Sequence, residues 1–232
     1  MKLLDVIHAS CKGQKKDHPY QDFIKLSETE DYFLATLADG LGSSRFSSRG
    51  ASLICQVVCE GFSSRENHDR TVKIILENAI DEWYKKLSDK QICPTDCLTT
   101  SSVLFVNKVE GKAYFAHIGD SMMSYRLPDG KVHRLNEGKE FLNETACIGT
   151  EMRSSYSITE VDCSEGMDFL MASDGFGDEI IVERMGGLYD YFKSKYSAIR
   201  ADRRNRVLKI ELAEAMHDKN NDDKSLIFGW IH

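Results

Sequence analysis

Aspartate residues stand at one end of several long apolar runs, a position from which a carboxylate can do chemistry. Four of them share this context: Asp39 after residues 32–38, Asp120 after residues 113–119, Asp174 after residues 169–173, and Asp222 just before residues 225–231. A strand that is buried on both faces has such a composition, and it would deliver the carboxylate to the rim of a core. Because an unpaired charge is costly there, a shared acidic pocket that binds cations is the simplest explanation.

Asp-Gly is also the commonest turn dipeptide, so a purely structural interpretation must be weighed at each position. Asp129-Gly130 follows a proline and joins two short alternating segments, and it is predicted to be a hairpin turn only. Asp39-Gly40 and Asp174-Gly175, each taken alone, fit a turn as well as a ligand. Together with Asp120 and Asp222 they favour ligands, because independent turns need no shared context of this kind.

An all-aspartate set points to the chemistry of hard divalent cations. Such ions take carboxylate and carbonyl oxygens as ligands, so the set fits magnesium or manganese and disfavours zinc. Glycine after the aspartate lets the main chain come close enough to offer its own carbonyl. Two such cations can lower the pKa of a shared water and neutralise the oxygens of a phosphoryl group. Metal-assisted hydrolysis of a phosphoester is therefore the predicted reaction.

Length, charge and cysteine content limit the class of protein. The 232 residues contain no proline-rich or Gly/Ser-rich linker, and we expect one domain over residues 1–232. A formal net charge of −7 disfavours a nucleic-acid partner. No apolar stretch reaches the length of a membrane span, so we expect no membrane partner. Seven cysteines, an odd number, fit reduced thiols and a cytoplasmic location.

A zinc site is the alternative for four of these cysteines. Cys55 and Cys59 are four residues apart, and Cys93 and Cys97 repeat the interval. The two-residue spacing typical of structural zinc sites is absent, so buried or bystander thiols are favoured.

Hydropathy periods predict strands, a helix pair, more strands, a helical region and a final strand. The apolar stripe after Ser47 predicts one helix, and residues 70–87 predict a second. Residues 179–216 predict a last helical region with breaks at Gly186-Gly187 and around Ser197. This order favours an α+β fold with a mainly antiparallel sheet system, in which two stacked sheets carry outer helices.

Short motifs along nearly the whole chain resemble, in order, those of the metal-dependent Ser/Thr protein phosphatases of type 2C (the PPM family), particularly its compact bacterial branch. The motifs are Tyr20-Gln21-Asp22, Ala38-Asp39-Gly40-Leu41-Gly42 with Ser47–Ala51, Thr99-Thr100-Ser101, His117–Ser121, Ala172–Asp178 and Asp222–Ser225. Each motif alone is weak evidence, but their common order is specific.

The resemblance implies two stacked antiparallel β-sheets flanked by helix pairs, in α/β/β/α layers, with the metals at one end of the sandwich. It also implies catalytic roles for Asp39, Asp174 and Asp222, exerted through two bound Mg²⁺ or Mn²⁺ ions and the water or hydroxide that bridges them. The implied metal ligands are Asp39 bridging both ions, the Gly40 carbonyl on the first, Asp174 and Asp222 on the second, Asp22 through the waters of the first, and Asp120 with Asp174 and Asp178 in a weaker third site.

The sequence departs from the family pattern near the N-terminus, where many members grip the substrate phosphate with an arginine. The candidates in this region are Lys12, Lys15, Lys16 and His18, among which the sequence does not choose. An ammonium lacks the two-pronged geometry of a guanidinium, so a weaker phosphate affinity is expected. Leu41 occupies the position at which eukaryotic members carry a histidine, a proposed proton donor, and Met122 stands where an arginine often follows Gly-Asp-Ser. His117 is predicted to be a packed core residue.

These observations favour a protein phosphatase that acts on phosphoserine and phosphothreonine in a protein substrate, with a cognate Ser/Thr kinase as its counterpart. The alternative is a catalytically weak or inactive module of the same fold that binds a phosphoprotein for regulation. A nuclease or small-phosphoester hydrolase with the same metal chemistry is disfavoured by the negative charge and by the order of the motifs.

Overall fold

The computed structural model describes residues 4–13, 19–64, 71–135, 146–150, 154–214 and 221–232. Within these segments the strands are β1 (Leu4–Cys11), β2 (Asp22–Glu28), β3 (Tyr32–Asp39), β4 (Ser101–Asn107), β5 (Lys112–Ile118), β6 (Met122–Arg126), β7 (Val132–Arg134), β8 (Ser157–Asp162), β9 (Met167–Ala172) and β10 (Lys224–Ile231). The helices are α1 (Ser47–Ser63), α2 (Val72–Asp89), α3 (Asp174–Gly177), α4 (Met185–Ser197) and α5 (Ala201–Glu214). None of these helices is long and apolar enough to cross a membrane.

The strands form two five-stranded sheets in which every pairing is antiparallel. The terminal sheet has the order β1-β10-β9-β6-β7, and the central sheet has the order β2-β3-β4-β5-β8. The expected α+β fold with two antiparallel sheets is therefore confirmed.

Three apolar clusters hold the layers together. Phe33 and Leu37 of the central sheet share an inner cluster with Phe169 and Ile227 of the terminal sheet, so the two sheets stack face to face. The outer face of the central sheet packs against α1 and α2. The outer face of the terminal sheet packs against α4 and α5, which completes the α/β/β/α layers.

The strands that carry the acidic residues are buried on both faces. Along β3, Phe33 and Leu37 point into the inner cluster while Leu34 and Ala38 point towards α1 and α2. All residues of β9 and β10 are buried as well. Layers on both sides of a central strand require apolar residues at every position, which is why these runs are continuous rather than alternating.

The break predicted at Gly186-Gly187 is wrong, because both glycines lie inside α4. They are the second and third residues of that helix, and a Cβ atom at either position would meet nothing within 4 Å. Each glycine costs the helix about 0.5–1 kcal/mol in backbone entropy, and the packing of Tyr189, Phe192 and Tyr196 against the terminal sheet offsets this cost, so the helix passes through the pair. The helical region is interrupted instead after Ser197, as expected.

Helix α1 approaches the turn of 3-10 helix formed by Pro94–Cys97 so closely that only glycine fits at the contact. A Cβ atom on Gly50 would lie 2.0 Å from the main-chain oxygen of Cys97. The carbonyl of Gly50 also accepts a hydrogen bond of 3.0 Å from the indole nitrogen of Trp83, which is fully buried. This contact fixes the start of α1, and with it the loop that follows Asp39.

Replacing Gly50 with alanine should destabilise the protein by about 1–3 kcal/mol, the usual cost of forcing a methyl group into a packed contact. Gly187→Ala is the matched control, since it adds the same methyl group to a helix in open space and should be neutral or stabilising by about 0.4–1 kcal/mol. Chemical denaturation measures both free energies of unfolding. Equal effects of the two substitutions would contradict the close contact between α1 and residues 94–97.

Candidate metal centre

A cleft at one end of the sandwich gathers most of the predicted ligands. Its described lining consists of Gln21, Asp39, Gly40, Leu41, Gly42, Thr100, Asp120, Asp174 and Asp222. Four predicted carboxylates and the glycine predicted to offer its carbonyl therefore share one space, although they are spread from residue 39 to residue 222.

The main chain of Asp39 is held by two threonines that precede β4. Its N–H donates to the hydroxyl of Thr100 over 3.0 Å, and its carbonyl accepts from the N–H of Thr100 over 2.8 Å. The hydroxyl of Thr99 donates to the same carbonyl over 2.9 Å. These bonds fix the end of β3, so the carboxylate of Asp39 is presented at a defined point of the cleft.

Asp120 is placed by a glycine in the left-handed region. Gly119 has a φ of +110°, and a Cβ atom there would lie 2.6 Å from a side-chain carbon of Thr100. Only glycine combines this backbone conformation with so close an approach. The turn after β5 can therefore bring Asp120 to the cleft beside Asp39.

Asp22 lies behind the cleft wall rather than in it. It stands opposite Asp39 in the β2–β3 pairing and is only 2% exposed. One carboxylate oxygen, Oδ2, accepts a hydrogen bond of 2.7 Å from the hydroxyl of Ser173. The other oxygen, Oδ1, has no hydrogen-bond partner in the described part of the chain.

Burial, reinforced by the charges of neighbouring carboxylates, raises the pKa values of Asp22, Asp39 and Asp174 above their usual range. Burial raises the pKa of Asp22 to about 7. Burial is also the main cause for Asp39, whose pKa lies well above its usual value, and the negative charges of Asp22 and Asp174 raise it further. The pKa of Asp174 is raised by burial and by the charges of Asp120 and Asp222. The cluster is therefore under electrostatic strain whenever its members are ionised.

The residues present fit a hard divalent cation. Every potential metal ligand among the described lining residues is an oxygen or amide group. Like Oδ1 of Asp22, the buried Oδ1 of Asp174 lacks a hydrogen-bond partner among the described residues. A cation would satisfy such oxygens and relieve the repulsion between the carboxylates. The fit is one of donor chemistry: within the described segments, no group of three or more His, Cys, Asp or Glu side chains is placed so that it could hold a metal ion.

Residues 12–215 match the family model of protein phosphatase 2C. The chain belongs to this family. The S. agalactiae serine/threonine phosphatase has a similar fold, with a TM-score of 0.75 and 16% identity over 99% of this chain and 100% of that one. RsbX in complex with magnesium has a TM-score of 0.66 at 13% identity, over 99% of this chain and 96% of that one. The catalytic domain of PstP with two manganese ions has a TM-score of 0.64 at 14% identity, over 99% of each chain. No curated protein sequence is similar enough to match.

Asp178 and Lys12 are not among the residues that line this cleft. Asp178 is exposed at the end of α3, outside the described lining, although its charge contributes to the raised pKa of Asp174. Lys12 is exposed at the start of the loop between β1 and β2. The other phosphate-binding candidates, Lys15, Lys16 and His18, lie outside the described residues.

Asp223 has a role that sequence reasoning did not assign. Its two carboxylate oxygens accept main-chain hydrogen bonds from Gly13 (2.8 Å) and from Gln21 (2.6 Å). Gly13 in turn lies against the backbone of Asp222, where a Cβ atom would come within 2.5 Å of the carbonyl oxygen. In this member of the phosphatase 2C family, Asp223 thus ties the two described ends of the β1–β2 loop to the neighbouring metal-ligand candidate.

The raised pKa values predict how metal-free protein responds to pH. Folded Asp22 retains a proton up to about pH 7, whereas its ordinary pKa is 3.8, so the folded state binds more protons than the unfolded state in this window. Stability without metal should therefore fall as pH rises from about 4 to about 7, with a loss of about 2–4 °C in the unfolding midpoint for each kcal/mol.

Asp39→Asn should make this fall shallower, because it removes one ionisable group from the cluster. Asp129→Asn is the control, since Asp129 caps an exposed hairpin turn by accepting from the N–H of Lys131, which asparagine can also do. Thermal unfolding in the presence of a chelator gives the unfolding midpoint as a function of pH for wild type, Asp39→Asn and Asp129→Asn. A midpoint that rises with pH through this window, or equal slopes for wild type and Asp39→Asn, would contradict the electrostatic account.

Proposed function

We propose that the chain is a metal-dependent protein phosphatase that hydrolyses phosphoserine and phosphothreonine esters. The observation that supports this most directly is the common cleft of Asp39, Asp174 and Asp222, which belong to β3, α3 and the segment before β10. Membership of the protein phosphatase 2C family supports the same reaction class.

The residues that would hold two Mg²⁺ or Mn²⁺ ions are Asp39, Gly40, Asp174 and Asp222, with Asp22 acting on bound water. When bound, such ions supply a water of lowered pKa as the nucleophile and offset the charge of the phosphoryl oxygens. Asp120 and Asp178, together with Asp174, would hold a weaker third ion.

The protein's own part in the reaction is to fix oxygen donors and to shape the cleft. Thr99 and Thr100 hold the main chain of Asp39, and the N–H of Gly40 donates to the carbonyl of Gln21 over 3.2 Å. The hydroxyl of Thr100 is engaged with Asp39 and lies 3.4 Å from that of Ser121, so it is poorly suited to act as a nucleophile. We therefore propose direct transfer of the phosphoryl group to water, without a phosphorylated residue.

The proton for the departing serine or threonine oxygen would come from water. Leu41 contributes an apolar side chain to the cleft at the position where eukaryotic relatives have a histidine, and the described lining contains no histidine. His117 is half-buried on β5, and burial lowers its pKa, which makes it a poor proton donor at neutral pH.

We also propose a domain organisation, a cellular compartment and a class of partner for this enzyme. We propose that residues 1–232 form one domain, because β1 and β10 pair over eight residues and bring the described N- and C-terminal strands together. Seven free thiols, five of them buried, suit a reducing cytoplasm. A phosphorylated protein would be the substrate, and a Ser/Thr kinase would be its counterpart in signalling.

The test is hydrolysis of p-nitrophenyl phosphate and of phosphothreonine peptides, with Mn²⁺ or Mg²⁺ and with a chelator. Wild-type turnover should depend on the metal. Asp39→Asn and Asp174→Asn should lower kcat/KM by more than about 100-fold, since even residues that only orient metal ligands typically contribute 10–100-fold. Asp129→Asn, in the exposed turn, should retain full activity.

Two results would contradict the proposal: no turnover by folded wild type with either metal, or equal turnover by wild type and Asp39→Asn. Calorimetry would then identify the alternative. A folded protein that binds the phosphopeptide but takes up no Mn²⁺ is the inactive phosphoprotein-binding module.

A further inference from the structure

Two exposed arginines share one aromatic ring where the loop after Asp39 enters α1. The guanidinium carbon of Arg45 lies 4.8 Å from the centre of the Phe46 ring, and that of Arg49 lies 5.1 Å from it. Both side chains are exposed, whereas Phe46 is partly buried and packs against the cluster beneath α1. The ring attracts both cations and restricts where they can lie.

Neither arginine forms an ion pair within the part of the chain that the structure describes. Among the described residues, no carboxylate lies within the 4.0 Å of an ion pair from Arg45 or Arg49. Other arginines of the chain differ in this respect, since Arg126 pairs with Asp168 and Arg204 with Asp5. Two like charges that contact one ring, with no acidic partner among the described residues and in a chain of net charge −7, favour an anionic ligand.

The pair flanks Ser47, the residue of α1 that packs against the wall of the candidate metal centre. A Cβ atom on Gly40, which lines the cleft, would come within 2.8 Å of Ser47, so the first residue of α1 abuts the cleft wall. The hydroxyl of Ser47 also accepts a hydrogen bond of 2.5 Å from the side chain of Gln21, another lining residue. Arg45 and Arg49 each stand two residues from Ser47, which corresponds to at most about 7 Å of chain.

We propose that Arg45 and Arg49 recognise acidic side chains that flank the phosphorylated residue of a protein substrate. This inference rests on the proposed function, since it assigns a substrate class to the same cleft. An extended peptide advances about 3.3–3.6 Å per residue, so the recognised glutamate or aspartate would be two to four residues from the phosphorylated one. A guanidinium binds a carboxylate through two parallel N–H groups, and the Phe46 ring orients both guanidiniums before the peptide arrives.

The experiment compares phosphothreonine peptides that carry glutamate two to four residues from the phosphothreonine, on either side, with peptides that carry glutamine there. Wild type should prefer the acidic peptides by about two- to thirtyfold in kcat/KM, the range expected for two exposed charge pairs. The difference should lie in KM and shrink at high salt.

The double variant Arg45→Gln/Arg49→Gln should lose this preference, so that the ratio between acidic and neutral peptides approaches one. Arg45→Lys/Arg49→Lys keeps the charges and should retain part of the preference. The matched control is Arg203→Gln/Arg206→Gln, two exposed arginines on α5 at the other outer face of the protein, which should leave the ratio unchanged.

p-Nitrophenyl phosphate, which has no flanking residue, distinguishes the proposal from a simpler role in gripping the phosphate. An equal loss by the double glutamine variant on this substrate and on both peptides would assign the arginines to the scissile phosphate and overturn the proposal. A wild-type ratio of one, or a ratio that survives in the double variant, would overturn it as well.

Peptide binding separates this inference from the proposed function. Fluorescence anisotropy with labelled acidic and neutral phosphopeptides, on wild type and the double glutamine variant, needs no turnover. Preferential binding of the acidic peptide without hydrolysis of any substrate would refute the phosphatase and support the arginine pair. Hydrolysis of the peptides without any preference for the acidic ones would support the phosphatase and refute the role of the arginine pair.

Discussion

Burial of several carboxylates that also repel one another is the constraint on which the site depends. Asp39 and Asp174 lie against a core that excludes water, and Asp22 is buried directly behind them. Such groups resist ionisation, and their pKa values are raised accordingly. A protein that keeps them together gains nothing from the arrangement alone, because it costs folding free energy at neutral pH. A cation that binds between the carboxylates would replace their repulsion with attraction. This is the physical reason for connecting the cleft with metal chemistry.

The sandwich makes the convergence possible by placing the ends of strands from both sheets at one edge. Asp39 ends β3 of the central sheet, while Asp174 follows β9 and Asp222 precedes β10 of the terminal sheet. The helices on both outer faces shield these strands from water and hold them in place. Asp223 then ties Gly13 and Gln21, at the described ends of the loop between β1 and β2, to the same edge through two main-chain hydrogen bonds, so residues more than two hundred positions away are fixed relative to the centre.

Much of the fold was predictable from the sequence, because a strand that is buried on both faces contains a continuous run of apolar residues. The continuous apolar runs that end at Asp39 and Asp174 predicted buried strands, and the motif order predicted the fold family. Other features of the site correspond to no recognisable sequence pattern. The depth of Asp22 depends on its pairing with Asp39, and the role of Asp223 depends on two main-chain donors that no pattern specifies. Gly186-Gly187 was expected to break a helix, but the packing of α4 against the terminal sheet outweighs the entropic cost of the two glycines. Pairing of Arg45 and Arg49 on one ring appears only when the helix is built.

The most direct test of the central claim is anomalous diffraction at the manganese absorption edge from crystals grown with Mn²⁺. We expect anomalous peaks in the cleft, with the carboxylate of Asp39 as a ligand between two ions and with Asp174 and Asp222 on one of them. Crystals that contain Mn²⁺ but show no peak in this cleft, or that show Asp39, Asp174 and Asp222 directed away from one another, would contradict the account.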